Sequence, residues 1–206
     1  THIRHSEKVL VMRVFIAVLV LIFSLQSIGK ADDISDFEIE GISIGDSLLE
    51  HFSKNEINEA LKNPSYYKDK KFVEIFLNYN ESKFDFLQVA IQTKDKSYKI
   101  EKIMMVKEFS DQIENCKKFK RNFINESSEF LIDAKRSDTE TVSSTDPTGN
   151  SFSYISMFYY PSGGFFNFNC TDYGQEMLDQ RGWGDVFKVS IGSEKILNYL
   201  RSGDAF

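Results

Sequence analysis

Cysteine, proline, tryptophan and histidine are all scarce here: two, three, one and three in 206 residues. Two of the histidines, His2 and His5, precede the first hydrophobic run, so only His51 is left for the folded part. One histidine and two cysteines far apart in sequence are too few soft ligands for a structural zinc site, and no cofactor or metal is expected. Prolines at 64, 147 and 161 are isolated, and no repeat or long Pro/Gly/Ser tract divides the chain. Excess positive charge is also missing: 25 basic side chains face 31 acidic ones, a net of −6. That sign repels phosphate backbones and anionic lipid, which argues against nucleic acid as a partner. The one basic cluster, Lys117-Lys118-Lys120-Arg121, reads as a solvated helix face.

What is present begins with Met12-Arg13, followed by the uncharged run Val14 to Phe23. Ten such residues are too few to cross a bilayer, which takes about 20. Gly29 and Ala31 then supply the small residues that a signal peptidase accepts, so cleavage is expected after Ala31. Residues 1–11 read as upstream sequence or as a longer basic n-region. Residues 32–206 are then expected to be one exported domain, periplasmic or secreted, with no stable membrane span. Residues 1–31 hold four basic side chains and one acidic. The remainder therefore carries 21 basic against 30 acidic, a net of −9. In an oxidising compartment the even pair Cys116 and Cys170 is expected to form a disulfide.

Residue spacing gives the elements. Phe37-Glu38-Ile39 alternates as a strand does. Asp46 or Ser47 can cap a helix bearing Leu48, Leu49 and Phe52, and Ser53 with Glu56 forms a capping box for a second helix that Pro64 stops. Period-two patterns place Val73, Ile75, Leu77 and Tyr79 on one strand face and Leu87, Val89 and Ile91 on the next. A third strand has Tyr98, Ile100, Met104 and Val106 on one face, with Lys102 as a flaw in it. A long helix is expected from about Asp111 to Leu131, with Cys116 on or beside its apolar stripe. A strand over Thr139–Ser144 leads to the turn at Asp146-Pro147-Thr148-Gly149-Asn150. Phe152–Tyr160 and Phe165–Cys170 form a hairpin that points Cys170 inward. An irregular segment (Gln175–Trp183), a strand (Val186–Ile191) and a helix (Ser193–Leu200) follow. Such short links force antiparallel pairing. The expected fold is α+β: one antiparallel sheet of six to seven strands, helices on one face, and one disulfide.

Two stretches resemble known groups. Gly45-Asp46-Ser47-Leu48 resembles the nucleophile block of GDSL esterases, which implies Ser47 as nucleophile. That family takes its base from an Asp-x-x-His block near the C-terminus. Here the only candidate is His51, four positions from Ser47, and the family's parallel sheet is missing, so Ser47 reads better as a helix cap. The run from Asp36 to Leu49, DFEIEGISIGDSLL, resembles a group of small, uncharacterised exported proteins of marine alphaproteobacteria. It implies a periplasmic setting and no particular activity.

The sequence therefore points to a monomeric, non-catalytic binding or envelope-associated protein. Its partner is an unspecified protein or small-molecule ligand. A serine esterase using Ser47 with His51, and a secreted inhibitor-like protein, are the alternatives. The binding face is expected among the rings of the aromatic hairpin and its surroundings, namely Tyr154, Phe158, Tyr160, Phe165 and Trp183, or in an adjoining groove.

Overall fold

In a computed structural model, residues 33–79, 82–203 and 205 are described; the expected leader and its cut after Ala31 lie outside them. Strands β1 (Glu38–Ile39) and β2 (Ile42–Ser43) form a small ribbon. Helices α1 (Leu48–His51) and α2 (Lys54–Ala60) follow, each opened by a serine whose hydroxyl accepts a backbone N–H. In both, a glutamate three residues on returns a carboxylate to the cap N–H, which satisfies amides that the helix cannot pair itself. Next come β3 (Ser65–Tyr66), β4 (Phe72–Leu77), β5 (Phe86–Gln92), β6 (Ile100–Ser110), α3 (Ile113–Glu126), β7 (Lys135–Val142), β8 (Phe152–Tyr159), β9 (Phe165–Asp172), α4 (Gln175–Arg181), β10 (Asp185–Gly192) and α5 (Glu194–Arg201).

One antiparallel sheet of eight strands, in the order β3-β4-β5-β6-β10-β9-β8-β7, is the frame. The fold is α+β as expected, with eight strands in this sheet against the six to seven expected and two more in the ribbon. Two meanders make it. The first runs β3 to β6; α3 then crosses the sheet and delivers the chain to the far edge, from which β7, β8 and β9 step back towards the centre. Strand β10 closes the gap between β6 and β9.

The expectation of helices on one face is corrected. Rows of side chains from Val73, Ile75, Val89, Phe168 and Phe187 meet α1, α2 and α3 in the main core. The opposite face is covered at one end by α5, where Ile196 and Tyr199 pack on Phe72, Ala90 and Phe165, and at the other by α4, where Met177 packs with Val106 and Val186. Gly192 allows the first of these layers to close, because a Cβ there would lie 2.4 Å from Phe165 Cε1.

A β-bulge explains a second correction. Ala90 pairs with Lys102 but Ile91 pairs with Ile100, so Glu101 is an extra residue on β6. The alternation flips there. Ile100, Ile103 and Met105 therefore enter the main core, while Lys102, Met104 and Val106 face the other way. Lys102 is no flaw: its ammonium lies 2.6 Å from Glu74 Oε1, and the Gln88 amide and the Tyr67 hydroxyl donate to the same carboxylate. Burial pushes the Glu74 carboxyl up, and Lys102 and Tyr67 outweigh this and hold it below its ordinary value. The bulged Glu101 in turn accepts from Ser193 Oγ at 2.6 Å and Lys195 Nζ at 2.9 Å, fixing the start of α5.

Candidate functional site

The site is built outward from the cystine. Cys116 on α3 and Cys170 on β9 form a disulfide with Cα atoms 6.0 Å apart, both fully buried. Cys170 lies opposite Tyr154 on β8, and Tyr154 opposite Glu140 on β7. Lys120 is one helical turn beyond Cys116, so it projects from the same side of α3. Its ammonium donates to the Tyr154 carbonyl at 2.7 Å. A turn earlier, Lys117 Nζ sits 3.7 Å from the centre of the Tyr154 ring and 3.1 Å from Glu114 Oε1. Between helix and edge strand an open pocket of about 280 Å³ remains, lined by Lys120, Asp138, Thr139, Glu140, Tyr154 and Ile155.

Charges in this pocket are arranged unequally. Asp138 accepts from Ser156 Oγ at 2.6 Å and from Arg136 Nε at 2.9 Å. Burial raises its carboxyl, but these bonds together with Arg136 and Lys120 outweigh that and hold it low, so it stays ionised. Lys120 goes the other way. Burial pushes its amine down to about 8; Asp138 opposes the shift, while Arg136, Arg121 and Lys117 add to it. The result is a small recess with an easily deprotonated amine, a fixed carboxylate and an aromatic wall. Such a site can bind a compact polar molecule and orient it.

Of the residues expected to form the binding face, only Tyr154 lines this pocket. Phe158, Tyr160 and Phe165 are 5%, 6% and 3% exposed, so they are core residues, a correction to the expected face. The reason is alternation: Phe158 and Tyr160 point with Tyr154 towards the α3 side, Phe165 towards α5, and both sides carry helices. Trp183 is elsewhere, 37% exposed, with its ring 5.4 Å from Tyr173 and under the Arg181 guanidinium. The sequence did carry a signal for Lys120: a lysine four residues after a half-cystine, on an otherwise apolar stripe.

Ser47 and His51 are committed to separate partners. The Ser47 hydroxyl donates to the Ser97 carbonyl at 2.6 Å and accepts from the Leu49 N–H at 3.2 Å. His51 Nε2 lies 3.0 Å from Asp46 Oδ2, a carboxylate partner that sequence reasoning missed. Ser47 is a helix cap in geometry. The Asp146 turn is similarly self-contained. Its carboxylate accepts from Ser151 Oγ at 2.6 Å and Thr148 N–H at 2.8 Å, and these bonds, led by Ser151, hold it at about 2. Among the described residues no group of three or more His, Cys, Asp or Glu is placed to hold a metal ion. Nor is any described helix long and apolar enough to cross a membrane. No protein-family model, curated protein or solved structure matches the chain.

Proposed function

We propose that this chain is an exported, non-catalytic binding protein of the bacterial periplasm, and that the Lys120–Tyr154–Asp138 pocket takes a small polar ligand. The observation that carries the reading is the pocket's construction. A cystine pins its helix to its sheet, so Lys120 and Tyr154 are positioned before any ligand arrives, which lowers the ordering cost of binding. The leader-like run ahead of Ala31 and the likeness of Asp36–Leu49 to small exported proteins support the compartment.

Two measurements test it. Protein recovered from the periplasm is expected to begin at Asp32 by amino-terminal sequencing; an uncut leader on cytoplasmic material refutes export. Titration of isotope-labelled protein with millimolar acetate, glycolate and succinate is expected to shift amide signals of Thr139, Tyr154 and Ile155 with at least one of them. Unmoved signals across all three refute the pocket as a site for small anions.

A further inference from the structure

Three of the four cations on the basic stretch of α3 can be accounted for without a ligand. Lys118 and Arg121 are exposed, and Lys117 is spent on Glu114 and the Tyr154 ring. Lys120 is the one whose amine forms part of a pocket wall. We propose that Lys120 is a nucleophilic amine that captures a small carboxylate-bearing aldehyde as a reversible imine. This rests on the reading of the pocket as a ligand site and names the class of ligand.

The geometry supplies what the step requires. At about 280 Å³ the pocket is smaller than those that hold drug-sized ligands, which occupy roughly 300–1,000 Å³, so a molecule of a few heavy atoms fits. The Tyr154 carbonyl accepts one N–H and holds the nitrogen beside a second pocket-lining residue. Burial first, and then Arg136, Arg121 and Lys117, depress the amine's basicity; these three cations outnumber the pocket's two carboxylates, Asp138 and Glu140, and so favour an incoming carboxylate. Asp138 is the counter-charge that supports the cation formed afterwards.

The reaction balances without an oxidant or reductant. The Lys120 ammonium releases a proton to solvent, and its lone pair forms the C–N bond at the aldehyde carbon. The carbonyl oxygen leaves as water, and the C=N nitrogen carries one proton. Overall, ammonium and aldehyde give a protonated imine and one water, with charge unchanged.

The test uses the whole, disulfide-intact protein with glyoxylate at pH 8 and sodium cyanoborohydride to trap any imine, followed by peptide mapping. An ordinary lysine has about 0.4% of its amine free at that pH against about half for Lys120; weaker nucleophilicity of a less basic amine offsets part of the difference, leaving roughly tenfold. Lys120 is therefore expected to be trapped about tenfold faster than Lys62, an exposed lysine in the turn after α2. The wild-type trapping rate should level off above about pH 8. Lys120→Arg should lose that adduct while the other lysines label as before. Should the variant not fold, the wild-type site ratio and pH profile decide alone. Trapping of Lys120 no faster than Lys62, with glyoxylate still shifting the Tyr154 and Thr139 amides, overturns the imine and leaves the pocket. Absence of both overturns the two readings together.

Discussion

Reducing the Cys116–Cys170 bond in the wild-type protein removes one covalent link without changing a side chain. The cysteines are separated by 54 residues. In the chain-entropy treatment, freeing a loop of that length from the denatured ensemble costs the native state about 4 kcal/mol at 25 °C. That is a large part of a domain's net stability, about 5–15 kcal/mol. Both sulfurs are completely buried, so the native packing around them is kept and the effect falls on the unfolded chain. For a urea slope of about 2 kcal/mol per molar, the midpoint should fall by about 2 M on reduction. Far-UV circular dichroism in urea, with and without reductant, gives both midpoints. A shift below roughly 0.5 M at unchanged slope, under about 1 kcal/mol, refutes the claim that the cystine braces helix to sheet.

Three further outcomes are expected. Asp185 accepts from the Tyr173 N–H, and burial, with Asp172 and Asp111 nearby, raises its carboxyl to about 6. A raised acid binds its proton more tightly when folded, so its contribution is greatest below its unfolded value near 4 and is lost as pH climbs to about 6. Asp185→Asn should therefore gain on wild type in urea midpoint across that window and run parallel above it; a constant difference from pH 4 to 7 refutes the assignment. Glu74→Ala strands the Lys102 ammonium, 15% exposed, and should cost about 3 kcal/mol, much of it recovered in Glu74→Ala/Lys102→Met. A loss under about 1 kcal/mol in the single variant would contradict the paired-charge account. Wild-type protein should take up no fluorophosphonate probe at Ser47, and Ser47→Ala should cost about 1 kcal/mol as a lost cap. Labelling at Ser47 would restore the esterase reading.

Elements whose residues report one environment were legible in the sequence. Both serine caps, the β8–β9 hairpin, the stripe of α3 and the inward aim of Cys170 follow from spacing alone. What was hidden depends on neighbours. The bulge at Glu101 shifts the period by one, and nothing local to β6 announces it until the pairing with β5 is known. Strand β7 was expected from Thr139 but spans Lys135–Val142. As an exposed edge strand it has a charged, polar composition with no buried face to set a period. The residues of helix α4 show no helical stripe, because only Met177 among them is buried. At the site, Tyr154 was identified but its neighbours Asp138 and Glu140 were not. They come from another strand, and only the register of β7 on β8 brings them to Lys120.

The position of β10 has a consequence for assembly. Residues 65–110 and 135–172 each zip up by nearest-neighbour turns, but the two halves share a hydrogen-bonded seam only through residues 185–192. A growing chain thus emerges as two separate ribbons, and the strand that welds them is made after both. Pairings so distant along the chain are slow to find. Until that weld is made, neither ribbon has its full set of hydrogen-bonded neighbours, and the sheet closes as one piece only at the end.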